Sequence, residues 1–346
     1  MKLGYIHPKE TNKPHIPNDH HPFHKCGEFR FSFQYNNNKK SGYIDVSDGQ
    51  KIHWESIGNK EGIPIVFLHG GPGARILPAH HNFFNLDDYN TVLFDQRGCG
   101  KSKPFADIKN NTIQKLIEDM EALRQFLGIE KWVLFGGSWG STLALYYSIK
   151  FPNRCLGLIL RGVFLGTKQE IDWFLCDMGR FYPEAYNHFL KGLNFSEKAT
   201  PSSEDIIDRA SKLIFNDDHQ LSQNAANVWS SYEMSCSTIE YKHREMVGES
   251  AFSMAKIELH YFMNNCFLDT NEILNNIKKL NNIPVFIIQG RHDIICPPHS
   301  AYKLNNELPS SKLTIVENAG HSAFESGIKN ALINSLDEMK KKINSY

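Results

Sequence analysis

Residues 132–140 read Trp-Val-Leu-Phe-Gly-Gly-Ser-Trp-Gly, and this stretch decides the class of fold. Its four leading apolar residues predict a buried strand, and residues 141–149 follow a helical pattern. Glycines stand two positions before and two positions after Ser138, which lets the strand and the helix approach closely around a sharp turn. A serine at such a turn presents its hydroxyl above the carboxyl end of the strand, so the stretch predicts a serine nucleophile.

Further apolar runs alternate with helical periodicity from Gly42 onward. The runs are continuous rather than alternating, as in parallel strands that helices cover on both faces. This rhythm predicts an α/β domain with a mainly parallel sheet. The predicted strands are 63–68, 91–94, 132–135, 156–160, 283–288 and 313–316.

The clearest predicted helix covers residues 113–127, where apolar side chains recur on one helical face. Asn111 and Gln114 resemble a capping box at its beginning, and Gly128 ends it. The helix connects the second and third predicted strands, as a crossover between parallel strands requires.

Residues 166–265 interrupt this alternation with aromatic-rich helical segments. Because the strand pattern resumes at Ile283, the interruption predicts a helical cap domain inserted into a core domain of residues 42–165 and 266–346. The helical segments are 171–186, 224–234 and 252–262, and a loop is predicted at 197–205.

Residues 1–41 form a predicted N-terminal extension rich in Pro, His, Asn and Lys. It lacks the apolar segment of a secretory signal. A solvated polar tail is favoured over a metal site because no ligand spacing recurs among its histidines. These histidines are His15, His20, His21 and His24.

Composition excludes several classes of partner. The 346 residues include 38 Lys+Arg and 38 Asp+Glu, and zero net charge argues against a surface dedicated to nucleic acid. No stretch approaches the roughly 18–20 apolar residues of a membrane-spanning helix. The seven cysteines are scattered without a CxxC pair, which favours reduced thiols. We therefore expect a cytoplasmic protein that binds neither nucleic acid nor membrane.

The later chain supplies an acid and a base in the order that a serine nucleophile needs. Asp293 follows the strand at 283–288, and His321 follows the strand at 313–316. The carboxyl ends of parallel strands meet at one edge of the sheet, so Ser138, Asp293 and His321 are the predicted catalytic triad. His292 is the rival base, but it directly precedes the acid.

The sequence His69-Gly70-Gly71-Pro72-Gly73 follows the strand at 63–68, where a loop that donates to an oxyanion is expected. We assign the two backbone donors to Gly71 and Trp139. Two glycine-rich stretches do not complete a phosphate-binding motif. Position 95 is Asp where a P-loop needs Gly, and position 76 is Ile where a dinucleotide motif needs Gly.

These motifs together resemble the proline iminopeptidases, which are serine peptidases of the α/β-hydrolase fold. The resemblance extends from about Gly42 to the C-terminal region and rests on HGGPG, DQRG, GGSWGS, LRGVF and GRHD-x-x-C. It implies hydrolysis of the peptide bond after an N-terminal proline in short peptides.

The resemblance also assigns roles outside the triad. The segments Trp229-x-x-Tyr232-Glu233 and Ile257-Glu258-Leu259-His260 resemble two cap motifs whose glutamates bind the substrate amine, although Tyr232 stands where the family usually has Trp and Leu259 where it more often has Asn. Two close carboxylates repel each other, so a site built from them favours a bound cation. A free N-terminus supplies that positive charge and an acylated one does not, so the pair selects substrates with free N-termini. The remaining implied substrate-binding residues are Phe164, Phe262 and Trp139 around the proline ring, Arg161 near the cap carboxylates, and Cys296 near the pocket.

Other activities stay open on the residues alone. An esterase, a lactonase or a broader aminopeptidase has the same fold, and a hydrolase-like receptor can retain the triad. The pair of Glu233 and Glu258 disfavours an esterase, which has no use for two carboxylates at the acyl end. No metal or organic cofactor is expected, because the histidine base activates the serine. No oligomeric state is predicted.

Overall fold

The computed structural model describes residues 39–345, and its strands form one sheet of eight strands. The strands are β1 (Lys40–Asp45), β2 (Lys51–Gly58), β3 (Ile63–Leu68), β4 (Tyr89–Phe94), β5 (Trp132–Ser138), β6 (Cys155–Val163), β7 (Val285–Gly290) and β8 (Ser311–Val316). Their order across the sheet is β1-β2-β4-β3-β5-β6-β7-β8. β1 and β2 are antiparallel to their neighbours, and all the other pairs are parallel. The predicted parallel α/β architecture is thereby confirmed.

The two antiparallel strands have no counterpart among the predicted strands, and β2 shows why. Its side chains at His53 and Glu55 are buried, so the strand does not read as an apolar run. Each finds a partner of opposite charge or a hydrogen-bond acceptor: His53 Nδ1 lies 3.1 Å from Asp95 Oδ2, and Glu55 pairs with Lys39 at 2.9 Å. Polar groups with hydrogen-bond partners of this kind can be buried. A pattern of apolar residues in the sequence does not reveal such a strand.

Ten α-helices accompany the sheet in residues 39–345. They are α1 (Ile113–Phe126), α2 (Trp139–Lys150), α3 (Lys168–Leu175), α4 (Pro183–Gly192), α5 (Ser203–Ile214), α6 (His219–Cys236), α7 (Gly248–Met263), α8 (Glu272–Asn276), α9 (Pro298–Glu307) and α10 (Ser326–Ile343). Across the described part of the chain, no helix has the length and apolarity needed to cross a membrane.

Helix ends differ from the predicted ones where polar side chains have competing partners. The cap of α1 is Thr112, whose side chain accepts from Lys115 N at 3.3 Å. The predicted cap Asn111 instead donates to Arg97 O and Asp107 O, both at 3.0 Å. The predicted loop at 197–205 ends early, because Ser202 caps α5 with a reciprocal contact to Asp205.

Helices α3–α7 lie between β6 and β7, within the residues predicted as a helical cap. Their apolar side chains belong to the same buried cluster as those of α2 and the sheet. One junction joins Trp139 of α2 to Tyr261 of α7, with ring centroids 4.7 Å apart. That 166–265 is a domain of its own stays a prediction. The predicted extension lies outside the described residues up to residue 38, and its last two residues, Lys40 and Ser41, belong to β1.

Candidate active site

Ser138 ends β5 and directly precedes α2, in a backbone conformation that L-residues rarely adopt (φ 57°, ψ −128°). The surrounding glycines explain how this strained turn persists. A Cβ on Gly136 would collide with Gly140 O, and a Cβ on Gly140 would collide with Leu68 O. Ser141 Oγ also donates to Ser138 O at 2.6 Å. The tight packing thus holds the serine hydroxyl at the carboxyl end of the sheet.

Asp293 and His321 meet beyond the ends of β7 and β8. His321 Nδ1 lies 2.8 Å from Asp293 Oδ2, and both side chains are buried. The other carboxylate oxygen, Oδ1, accepts from Cys296 N at 2.9 Å. Because the carboxylate is an acceptor, Nδ1 is assigned the proton and Nε2 the free lone pair, which is the tautomer that a general base requires. Burial lowers the pKa of His321, with Arg161 adding to the effect and Asp293 opposing it.

Gln289 contacts Asp293 and was not among the residues predicted for the site. Its Nε2 donates to Asp293 Oδ2 at 3.2 Å and to Cys296 O at 2.9 Å, while its Oε1 accepts from Val163 N. The amide therefore ties the acid to the end of the neighbouring strand. The rival base His292 is exposed, and the structure places it outside the cavity described below.

Arg161, near the end of β6, contacts the nitrogen of His321 with which the predicted nucleophile, Ser138, was expected to pair. Its Nη1 lies 3.0 Å from His321 Nε2 and donates to His321 O at 2.8 Å. Within residues 39–345, no hydrogen bond joins Ser138 Oγ to His321. The structure thus brings Asp293 and His321 together, and the Arg161 guanidinium contacts the nitrogen of His321 that carries the lone pair.

The loop after β3 passes beside the serine. A Cβ built on Gly70 would lie 3.4 Å from Ser138 Cβ, which places the loop backbone against Ser138. Asp95 fixes the far end of the loop by accepting from Ile76 N at 2.8 Å, and it also accepts from Lys101 N at 3.0 Å. The glycine-rich turn after Asp95, which superficially resembles a phosphate loop, therefore wraps a carboxylate.

Trp139 is also tied to this loop. Its Nε1 donates to Gln96 Oε1 at 3.0 Å. Gln96 in turn donates two hydrogen bonds to His69, from its backbone N to Nε2 and from its side-chain Nε2 to the backbone O. These contacts connect the sequences HGGPG, DQRG and GGSWG at one place. The assignment of Gly71 and Trp139 N–H groups to an oxyanion site stays a prediction, which this proximity supports.

Two buried carboxylates belong to adjacent helices, Glu233 on α6 and Glu258 on α7. Trp229 Nε1 donates to Glu258 Oε2 at 2.6 Å, whereas Glu233 Oε2 has no hydrogen-bond partner in residues 39–345. Burial raises the pKa of Glu233 to about 8, although the positive charge of Arg161 opposes the rise. Burial and the neighbouring Glu233 raise the pKa of Glu258. The pair therefore gains from an added cation.

A cavity of about 670 Å³ contains the candidate site. Its wall includes Gly71, Ser138, Arg161, Glu233 and His321. Another cavity, of about 740 Å³, lies between the beginnings of α3 and α9 and contains none of the predicted site residues.

The other predicted substrate-binding residues do not line this cavity. Phe164 and Phe262 are in contact, with centroids 6.4 Å apart, and Phe262 also packs against Trp229. All of these residues are buried and none belongs to the cavity wall: Phe164, Phe262, Trp139, Glu258 and Cys296. Burial also raises the pKa of the Cys296 thiol. Direct contact of these groups with a substrate stays a prediction.

Known proteins resemble this chain at two levels. Residues 63–328 match the family described as alpha/beta hydrolase fold. The proline iminopeptidase of Neisseria gonorrhoeae is 39% identical over 302 residues, which cover 86% of this chain and 96% of that protein. The proline iminopeptidase of Arabidopsis thaliana is 40% identical over 306 residues, which cover 87% of this chain and 80% of that protein. A solved proline iminopeptidase-related protein of Thermus thermophilus shares the fold, with a TM-score of 0.55, 18% identity and coverage of 88% of this chain and 98% of that one.

The sheet order, the strained serine turn and the family match define the class of protein as an α/β hydrolase. Within that class the similarity to curated relatives extends over most of both chains. The chain belongs to the proline iminopeptidase family. The resemblance found in the sequence motifs is confirmed.

Proposed function

We propose that this chain is a serine aminopeptidase that releases an N-terminal proline from short peptides. The observation that carries the proposal is the buried carboxylate Glu233, which has an unpartnered oxygen in the wall of the same cavity as Ser138 and His321. A free carboxylate beside a nucleophile favours a substrate with a positive charge next to its reacting carbonyl, and the N-terminal residue of a peptide has that arrangement.

The protonated imino group of proline binds between Glu233 and Glu258. Both carboxylates are buried, so the cation replaces a repulsive or protonated pair with a neutralised one. An N-acylated proline is neutral and leaves the carboxylates uncompensated, which excludes internal peptide bonds. Phe164 and Phe262 supply the apolar environment of the ring once the wall opens to it.

The catalytic steps follow from the tautomer of the base. Arg161 releases Nε2 of His321, and this nitrogen takes the Ser138 proton as Oγ bonds to the prolyl carbonyl carbon. The backbone N–H groups of Gly71 and Trp139 hold the oxyanion. The C–N bond then breaks as His321 protonates the leaving nitrogen, and water hydrolyses the acyl-enzyme to release proline.

A panel of substrates tests the proposal. Purified wild type should release chromophore from prolyl 4-nitroanilide and not from its N-acetyl derivative. The Ser138→Ala variant, matched in folding by its circular dichroism, should lose at least about 10³-fold of this activity, as serine hydrolases do when a triad member is removed. Rapid hydrolysis of esters without any hydrolysis of prolyl amides would favour the esterase alternative instead.

A further inference from the structure

Besides Arg161, which contacts His321, the candidate site contains two arginines that the reaction described so far does not use. Among residues 39–345, Arg75, Arg161 and Arg244 form no ion pair with a carboxylate, and all three are in the wall of the 670 Å³ cavity. The arginines of this region that do form such pairs are Arg97, Arg124, Arg180 and Arg291. Of the five arginines without an ion pair in residues 39–345, these three line the cavity, and the other two, Arg154 and Arg209, lie outside it.

Arg244 belongs to the connection between α6 and α7, and its guanidinium is held by two neutral hydroxyls. Nη1 donates to Ser237 Oγ at 3.3 Å, and Nη2 donates to Thr238 Oγ1 at 3.2 Å. Ser237 in turn holds the turn of the base, because Ser237 O accepts from His321 N at 3.0 Å and from Ser322 N at 2.8 Å. Ser237 is therefore the single residue that links Arg244 to His321.

The backbone of the same segment is fixed along α6. Arg244 N donates to Ser235 Oγ at 2.9 Å, and Met246 N donates to Ser231 Oγ at 2.9 Å. Both serines belong to the helix that carries Glu233. One helix therefore sets the position of the carboxylate that receives the substrate amine and of the segment that carries Arg244.

The position of the leaving group relative to His321 determines which part of the substrate faces Arg244. His321 must protonate the leaving nitrogen, so the residue after the scissile bond lies on the side of the base. In a dipeptide, that residue ends in a carboxylate. A guanidinium group presents parallel N–H donors that fit a carboxylate, and its hydroxyl partners leave its charge unneutralised.

We propose that Arg244 binds the C-terminal carboxylate of the leaving residue, with Arg75, which also lines the cavity, adding to the positive field. Dipeptides of the form proline–amino acid are then the preferred substrates, because Glu233 and Arg244 recognise both of their termini. The inference rests on the proposed function and extends it to the class of peptide.

The test compares prolyl-leucine with prolyl-leucinamide, which differ only in the terminal carboxylate. Wild type should show a kcat/KM about 10- to 100-fold higher on the free dipeptide, as expected for one hydrogen bond between charged groups. Arg244→Gln should bring this ratio close to one, and Arg244→Lys should retain part of it. Raising the ionic strength should lower the ratio in wild type.

Arg209→Gln is the matched control, because Arg209 also forms no ion pair in residues 39–345 and lies outside this cavity, over the ring of Phe195. It should keep the wild-type ratio. A wild-type ratio near one overturns the proposal, and so does an equal loss on both substrates in Arg244→Gln, which would mean that the arginine only supports the turn of His321. Absence of hydrolysis of every prolyl substrate, the anilide included, would instead refute the proposed function.

Discussion

Replacement of Glu233 by Gln tests the basis of specificity most directly. The amide has nearly the shape of the carboxylate, so the change removes the charge with little change in packing. Glu233 is 8% exposed, and its Oε2 has no partner in residues 39–345, so the ion pair with a prolyl cation would be shielded from water. Loss of one member of such a pair costs about 2–5 kcal/mol. This corresponds to a roughly 30- to 4,000-fold lower kcat/KM on prolyl 4-nitroanilide at pH 8.

The assay needs a substrate that uses the same nucleophile without an amine. Glu233→Gln should hydrolyse 4-nitrophenyl acetate within about threefold of wild type, because Ser138 and His321 are unchanged. It should also lose the discrimination between prolyl anilide and N-acetylprolyl anilide.

Glu170→Gln serves as the matched control for Glu233→Gln. The Glu170 carboxylate accepts from Leu165 N, Thr167 N and Ser300 Oγ, and it lies outside the cavity of Ser138. Its replacement should leave the preference for a free N-terminus intact. An equal fall on the prolyl anilide and the acetate in Glu233→Gln would refute the reasoning, since it would assign Glu233 a structural role.

Three further predictions concern the base and its surroundings. The kcat/KM for the acetate should rise with pH through the pKa of His321, which burial holds below its usual value. The kcat/KM for the prolyl anilide should keep rising to about pH 8, because this substrate also needs the ionised Glu233 carboxylate. Identical pH profiles for the two substrates would contradict this. Arg161→Met should speed the inactivation of Ser138 by an uncharged organophosphonate by about 2- to 12-fold, because it removes one hydrogen bond to the lone pair of His321. Slower inactivation would show that Arg161 assists His321. Gly162→Ala adds a Cβ 3.0 Å from His321 Nδ1 at a φ of +54°. The kcat should fall by about 5- to 160-fold on both substrates with little change in KM, as expected when about 1–3 kcal/mol of strain is placed on His321. A wild-type kcat would show that the turn relaxes freely.

The sequence predicted the fold class and named candidate site residues because motifs and chain order can both be read from it directly. The strand that ends at Ser138, β5, and its neighbour β3 appear as apolar runs, since they are buried on both faces. Strands with buried polar residues, and residues that hold the site residues in place, were harder to predict from the sequence. Gln289 was missed because nothing in its neighbours along the chain reveals that Val163 and Asp293 are its partners.

The sequence by itself determined the parallel α/β architecture, the family and the candidate residues Ser138, Asp293 and His321, because each depends on motifs that are short and contiguous. Tertiary structure alone decided that Arg161 holds the lone pair of the base and that Glu233 keeps an unpartnered oxygen in the cavity. It also brought Arg244 to the turn of His321 through Ser237. The physical reason is that hydrogen bonds and charges act between groups close in space, and the strands and helices that bring these groups together are up to 160 residues apart along the chain.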